Sequence, residues 1–257
     1  MSVLPQVESV KYLILENVCG FEKSEARDLV ISTLSQAGFS LQEFLLCPRQ
    51  LGIPNSRLRY YLLAKKEKVW SFSAHSEIMK DFSCLKENLR SIGLNIEPKS
   101  LETYLSQDIN DCYLVPEKIL LKHAKVLDII RPDSFISCCF TSGYFRFGQI
   151  IDVLAHVHEH ICLFCRYCEG TGSVIQSSGS KEELDEAFRL FSKSGDESEL
   201  AILKLRYFSP QEISSLLGFP PNFSFPDTIT NKQRYKVLGN SLNVTVVSLL
   251  LFSLLRN

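Results

Sequence analysis

Tyr12-Leu13-Ile14-Leu15 is an unbroken apolar run that ends in the polar pair Glu16-Asn17. A short run of this kind reads as a strand buried on both faces, as in a parallel sheet. Working outward, residues 22–37 put Ala26, Leu29, Val30, Thr33 and Leu34 at i, i+3, i+4 spacing, and Gly38 follows. That spacing predicts a helix with a glycine stop. Residues 39–47 and 58–64 read as two further strands, with the turn composition Gly52-Ile53-Pro54-Asn55 between them. The order strand, helix, strand, strand predicts an α/β fold. It corresponds to the back half of a doubly wound, Rossmann-like sheet closed by a hairpin.

After residue 64 the periodicity weakens, and the chain reads as a second, smaller and irregular domain. Residues 116–126 form its best helix. Residues 180–192 form another, with Leu184, Ala187, Phe188 and Phe191 on one face. Ser209-Pro210-Gln211-Glu212 is a capping box with proline in the first turn, and its helix runs to Leu217 and stops at Gly218. Residues 241–255 close the chain as an apolar helix that must pack into a core. The chain has 257 residues, 45% of them apolar and 22% charged, which excludes wholesale disorder. A net charge of −1 excludes a polybasic binder, so any nucleic-acid contact must come from a local patch. Nine cysteines, an odd number, with no leader before them predict reduced intracellular thiols. Thr245, Ser248 and Ser253 interrupt the apolar run 244–255, which is too short for a membrane span, so no membrane partner is expected.

Short strings carry a resemblance. They are Glu16-Asn17-Val18, Arg57-Leu58-Arg59-Tyr60, Arg206-Tyr207-Phe208-Ser209-Pro210-Gln211-Glu212 with Leu217-Gly218-Phe219-Pro220, and Gly239-Asn240-Ser241. In this order they resemble the cytosine-C5 methyltransferase family. Cys139-Phe140-Thr141 and Glu169-Gly170-Thr171-Gly172-Ser173 narrow the likeness to the branch that methylates a cytosine in the anticodon loop of transfer RNA. The resemblance implies S-adenosyl-L-methionine as methyl donor and tRNA as partner, with DNA the alternative. It implies that Glu16 contacts N3 and the exocyclic amine of the base, so that negative charge does not build up on the ring. Arg59, with Arg57 beside it, matches the arginine that holds the base O2. Gly239, Asn240 and Ser241 match the turn that closes the methionine part of the cofactor site. Asn17, Cys139, Phe140 and Thr141 are the implied substrate-side residues. Plainer readings stand beside these: an acid at a helix entry for Glu16, a solvated charge pair for the arginines, a helix cap for the Gly-Asn-Ser turn, and a buried strand thiol for Cys139.

The same resemblance exposes departures. The family has a Phe-x-Gly-x-Gly turn that cradles the cofactor and a Pro-Cys-Gln nucleophile that attacks C6, which makes C5 able to accept a methyl. Neither occurs in these 257 residues. Cys19 and Cys47 do not stand in the nucleophile position. The expectation is therefore an N-terminally truncated methyltransferase, inactive as it stands, with an open apolar edge at the first strand. Residues 145–165 interrupt the match. With Cys168 they carry His156, His158, His160, Cys162 and Cys165, a spacing that suits zinc or iron–sulfur, although an in-frame segment without function is the favoured reading. The expected domains are 1–66 for the catalytic half, 67–200 for target recognition and 201–257 returning to the catalytic domain. Basic residues cluster at Arg57, Arg59, Lys65, Lys66 and Lys68, and again at Lys118, Lys122, Lys125 and Arg131. A non-catalytic RNA-binding module and a metal-binding interaction protein are the competing functions. Cytoplasm and nucleus are the expected locations, and oligomeric state is left open.

Overall fold

The computed structural model describes residues 9–66, 70–73, 76–93, 96–107, 110–123, 127–140, 172–196 and 198–256. Strands are β1 (Tyr12–Val18), β2 (Ser40–Leu46), β3 (Arg59–Lys65), β4 (Asp128–Ile130), β5 (Ser173–Gln176) and β6 (Leu205–Arg206). Helices are α1 (Glu25–Gln36), α2 (Lys86–Ser91), α3 (Glu117–His123), α4 (Lys181–Ser194), α5 (Ser198–Ala201), α6 (Pro210–Leu216), α7 (Asn231–Gly239) and α8 (Val244–Leu255). The chain divides into two units. The first is Met1–Gly52, Arg57–Pro98 and Leu242–Asn257; the second is Ile53–Ser56 and Lys99–Ser241.

The sheet of the first unit has the order β1-β3-β2, and both outer strands run antiparallel to β3. This corrects the expected parallel pairing of β1. An apolar run reports burial and says nothing of partner direction, and here β3 returns between β1 and β2. The expectation of full burial also fails: Tyr12 to Asn17 are only half-buried. Among the described residues β1 pairs with β3 alone.

Alternation along the strands sorts the two faces. Leu13 and Leu15 join Tyr60, Leu62 and Ala64 in a cluster with Val30, Ile31 and Leu34 of α1. The other face meets α8, whose Val246, Leu249, Leu250 and Leu254 are buried. At 12 residues α8 is about 18 Å long, short of the ~30 Å hydrocarbon core of a membrane. Ser24 caps α1 by accepting from the Arg27 amide, and Gly38 at φ 81° turns the chain out of it. Of the expected stripe on α1, Leu34 is buried and Val30 is partly buried against the core, whereas Leu29 is 51% exposed and Ile31 packs there in its place. The Arg27 guanidinium on the same helix pairs with Glu43 of β2, which also accepts from the Tyr60 hydroxyl at 2.6 Å.

In the second unit β5 lies between β4, to which it is parallel, and β6, to which it is antiparallel. Ser180 and Glu183 form a capping box on α4, and Ala187 and Phe191 bury its apolar face. Ser209 and Glu212 cap α6 in the same way, as the sequence predicts. The units are cut elsewhere than at 66/67 and 200/201. Met79 bridges to Phe44, with Leu45 donating to the Met79 carbonyl at 2.7 Å, and this keeps the residues after β3 with the first sheet. Residues 205–206 pair with β5, which keeps the start of the last segment in the second unit.

Candidate functional site

Glu16 stands opposite Tyr61 in the β1–β3 ladder, and Val18 stands opposite Arg59. Glu16 and Arg59 are therefore diagonal neighbours on one face, where long side chains meet. The Arg59 Nε lies 3.4 Å from Glu16 Oε1, with the side chains 17% and 29% exposed. An ion pair this open contributes roughly 0–1 kcal/mol to stability. Its oxygens and N–H groups remain reachable, and the two side chains together offer an acceptor and a fork of donors. Arg59 also donates through Nη1 to the Leu58 carbonyl at 2.8 Å, which steadies the guanidinium.

Arg57 belongs to the same neighbourhood and is buried. Burial pushes the Tyr61 hydroxyl above its ordinary range. Glu16 adds to that shift, and Arg57 and Arg59 oppose it. Tyr61 is thus a neutral floor beneath the charged groups. Sequence reading missed it, although its place two residues after Arg59 on an alternating strand was the available signal. Asn17 lies on the other face by alternation. Its Oδ1 accepts from the Val18 amide at 2.8 Å, so it closes the strand end locally.

The remaining implied site residues belong to the second unit. Cys139 and Phe140 are buried, and Phe140 packs edge-on to Phe208 with ring centroids 5.0 Å apart. Thr141 and the whole 145–165 segment lie outside the described residues, as do Glu169, Gly170 and Thr171. No cluster of His, Cys, Asp or Glu able to hold a metal occurs among the described residues. Among the described basic residues of the stretch from Arg57, Lys66 is exposed and Arg59 half-buried. Arg57 and Lys65 are buried, with Lys65 Nζ 4.9 Å from the Trp70 ring centroid. Lys68, Lys125 and the side chain of Lys122 lie outside the description. Lys118 is exposed, and Arg131 is held by Asp133 at 3.2 Å.

Gly239 ends α7 and Asn240 is its C-cap. The Asn240 and Ser241 amides donate to the Lys236 and Leu238 carbonyls, which closes the last turn of α7. The cap of α8 is Asn243, which accepts from the Val246 amide at 3.1 Å. The Arg206–Glu212 string has a structural role: the side chains are 7% and 0% exposed and pair through two bonds of 2.9 and 3.0 Å.

The α/β architecture, with sheets of three strands each, is that of a partial Rossmann-like methyltransferase fold. The family model for C-5 cytosine-specific DNA methylase matches residues 6–256, and the chain belongs to that family, whose methyl donor is S-adenosyl-L-methionine. The chain is 37% identical to the tRNA (cytosine(38)-C(5))-methyltransferase of Homo sapiens, over 98% of this chain and 73% of that protein. It is 34% identical to the Schizosaccharomyces pombe protein of the same name, over 99% of this chain and 67% of that one. Among solved structures, a Spodoptera frugiperda DNMT2 mutant matches with a TM-score of 0.78 at 36% identity, covering 99% of this chain and 69% of that one. The S. pombe Dnmt2 methyltransferase matches at 0.75 and 32% identity, covering 98% of this chain and 70% of that one.

Proposed function

We propose that this chain holds the target cytosine of a tRNA anticodon loop for C5 methylation, through Glu16 and Arg59. The observation that carries the reading is their 3.4 Å pairing on an accessible strand end, in a chain of this family. Arg59 donates to the base O2, and the Glu16 carboxyl engages N3 and the exocyclic amine. Arg57 beside them adds positive charge against the ring anion that attack at C6 would create. An anticodon loop presents its bases unpaired, so the cost of extruding the target is small. S-adenosyl-L-methionine supplies the methyl group when it is bound. The proposed locations are cytoplasm and nucleus, which imaging of a tagged chain tests.

Fluorescence anisotropy with a tRNA anticodon stem–loop, and with a DNA hairpin of the same sequence, tests the partner. Tighter binding of the RNA, weakening with salt, is the expected result. Equal affinity for both hairpins, or none for the RNA, overturns it.

A further inference from the structure

Arg27, Arg59, Arg131, Arg189 and Arg206 each lie against a carboxylate. Arg234, in the second unit, does not. Among the described residues it forms no ion pair, and its buried Nε has no hydrogen-bond partner. The helix that carries it is well fixed. Thr230 and Gln233 form a capping box at the start of α7, with the Thr230 amide donating to Gln233 Oε1 at 2.8 Å. Tyr235 is buried and donates its hydroxyl to the Phe208 carbonyl at 2.6 Å. Arg234 is the fourth helical residue, a position that an apolar side chain often fills to pack on the residue before the cap. A guanidinium fills it here and meets a ring instead: Cζ lies 5.5 Å from the Phe225 centroid. Phe223 stands edge-on to Phe225 at 5.0 Å, and Phe219 lies 4.6 Å from Phe223. A ring holds a guanidinium by its face and leaves the fork of N–H donors unused. Arg234 is only half-buried, and Val237, three residues on, is 52% exposed, so this side of α7 reaches solvent.

We propose that Arg234 is a phosphate contact for RNA: its ring-held guanidinium donates to the phosphodiester oxygens of one nucleotide. The planar fork matches a phosphate in paired fashion, and the Phe225 contact fixes its plane before the ligand arrives. Charge favours a polyanion over a single carboxylate. The nine residues of α7 carry Lys232, Arg234 and Lys236 and no acid. Lys232 and Lys236 are exposed and four residues apart, so they form a row of their own on another side of the helix. The inference rests on the reading of this chain as a tRNA binder. It makes a claim of a different kind, however, because a phosphate contact carries no base preference, whereas Glu16 and Arg59 are assigned one.

The test measures the affinity of the full chain for two anticodon stem–loops, with cytosine or uracil at the target position, over a series of salt concentrations. Arg234→Gln is expected to weaken both loops equally, by about tenfold, the scale of one charge-assisted hydrogen bond. The slope of log affinity against log salt is expected to become shallower by roughly 0.7–0.9, the value of one phosphate contact. Arg234→Lys is expected to keep the slope and lose part of the affinity, since a point charge replaces the fork. If Arg234→Gln does not fold, Arg234→Met, which keeps the stem beside Phe225, is read in the same way. Unchanged affinity and slope in a folded variant overturn the proposal and leave the guanidinium a packing group. A loss confined to one of the two loops overturns the phosphate assignment as well. Equal affinity of the natural chain for both loops, with the slope still reduced in Arg234→Gln, upholds the phosphate contact and overturns the base-holding reading instead.

Discussion

Replacing Glu212 with alanine probes the strongest polar junction of the second unit. Glu212 is 1% exposed, and its two oxygens serve four donors. They accept from Arg206 Nη1 and Nη2 at 2.9 and 3.0 Å, from the Ser106 amide at 2.9 Å and from the Ser209 amide at 2.8 Å. Glu212→Ala leaves a buried guanidinium without its counter-charge, the buried Ser209 amide without an acceptor, and the amide of the exposed Ser106 to be satisfied by water. Arg206 keeps Ser177 Oγ and the Tyr207 carbonyl, so the loss is partial. Breaking a buried pair from one side costs about 3–5 kcal/mol, a large share of the ~5–15 kcal/mol that stabilises a typical domain. Urea unfolding of Glu212→Ala, Arg206→Ala and the double variant gives the coupling, expected at about 2 kcal/mol or more. Hydrogen exchange at the Ser106 and Ser209 amides should rise in step. A cost below about 1 kcal/mol for Glu212→Ala, the range of an exposed pair, would refute the assignment of a buried hub.

Glu43→Gln strips the charge that holds Arg27 and Tyr60, so chemical denaturation should show a loss of about 2–3 kcal/mol. Gly52 has φ 78°, and a Cβ there would stand 2.1 Å from the Glu97 carbonyl oxygen, whereas Gly38 at φ 81° has open space. Gly52→Ala should therefore prevent normal folding of the first unit, while Gly38→Ala costs about 1 kcal/mol, as circular dichroism melts will show. Burial raises the Tyr207 hydroxyl to about 12, and Tyr60, Tyr61 and Tyr235 are pushed up as well. Their folded values lie above the ordinary ~10, so this stability is complete below about pH 10 and is lost as pH climbs toward the folded values. Absorbance titration at alkaline pH should show these hydroxyls ionising only with unfolding.

The elements were legible in the sequence where local chemistry decides them. Ser209 to Glu212 gives its capping box from four adjacent residues, and Ser180 with Glu183 does the same for α4. What depends on distant partners was not legible. The run Tyr12 to Leu15 announces a strand but not that β3 inserts beside it in antiparallel sense. On α1 Val30 and Leu34 face the core as expected, but Ile31 takes the place of Leu29, and Arg27 answers Glu43, 16 residues away. For the candidate site, the strings name Glu16 and Arg59, but that the two are diagonal neighbours with Tyr61 opposite Glu16 comes from the ladder register. Gly52 to Asn55 reads as an ordinary turn, and its burial rests on Ser137 and Cys138, which no local pattern announces.

If Glu16 and Arg59 hold the target cytosine, the chain must tell it from uracil. The affinity for two anticodon stem–loops that differ at one base, cytosine or uracil, is measured for the natural chain and for Glu16→Ala. Good paired contacts discriminate between bases by about 1–3 kcal/mol, so a preference for cytosine of roughly 10–100-fold is expected, and Glu16→Ala, which removes both the donor to N3 and the acceptor for the exocyclic amine, should abolish most of it. Equal affinity of the natural chain for both loops, or an undiminished preference in Glu16→Ala, would contradict the base-holding role.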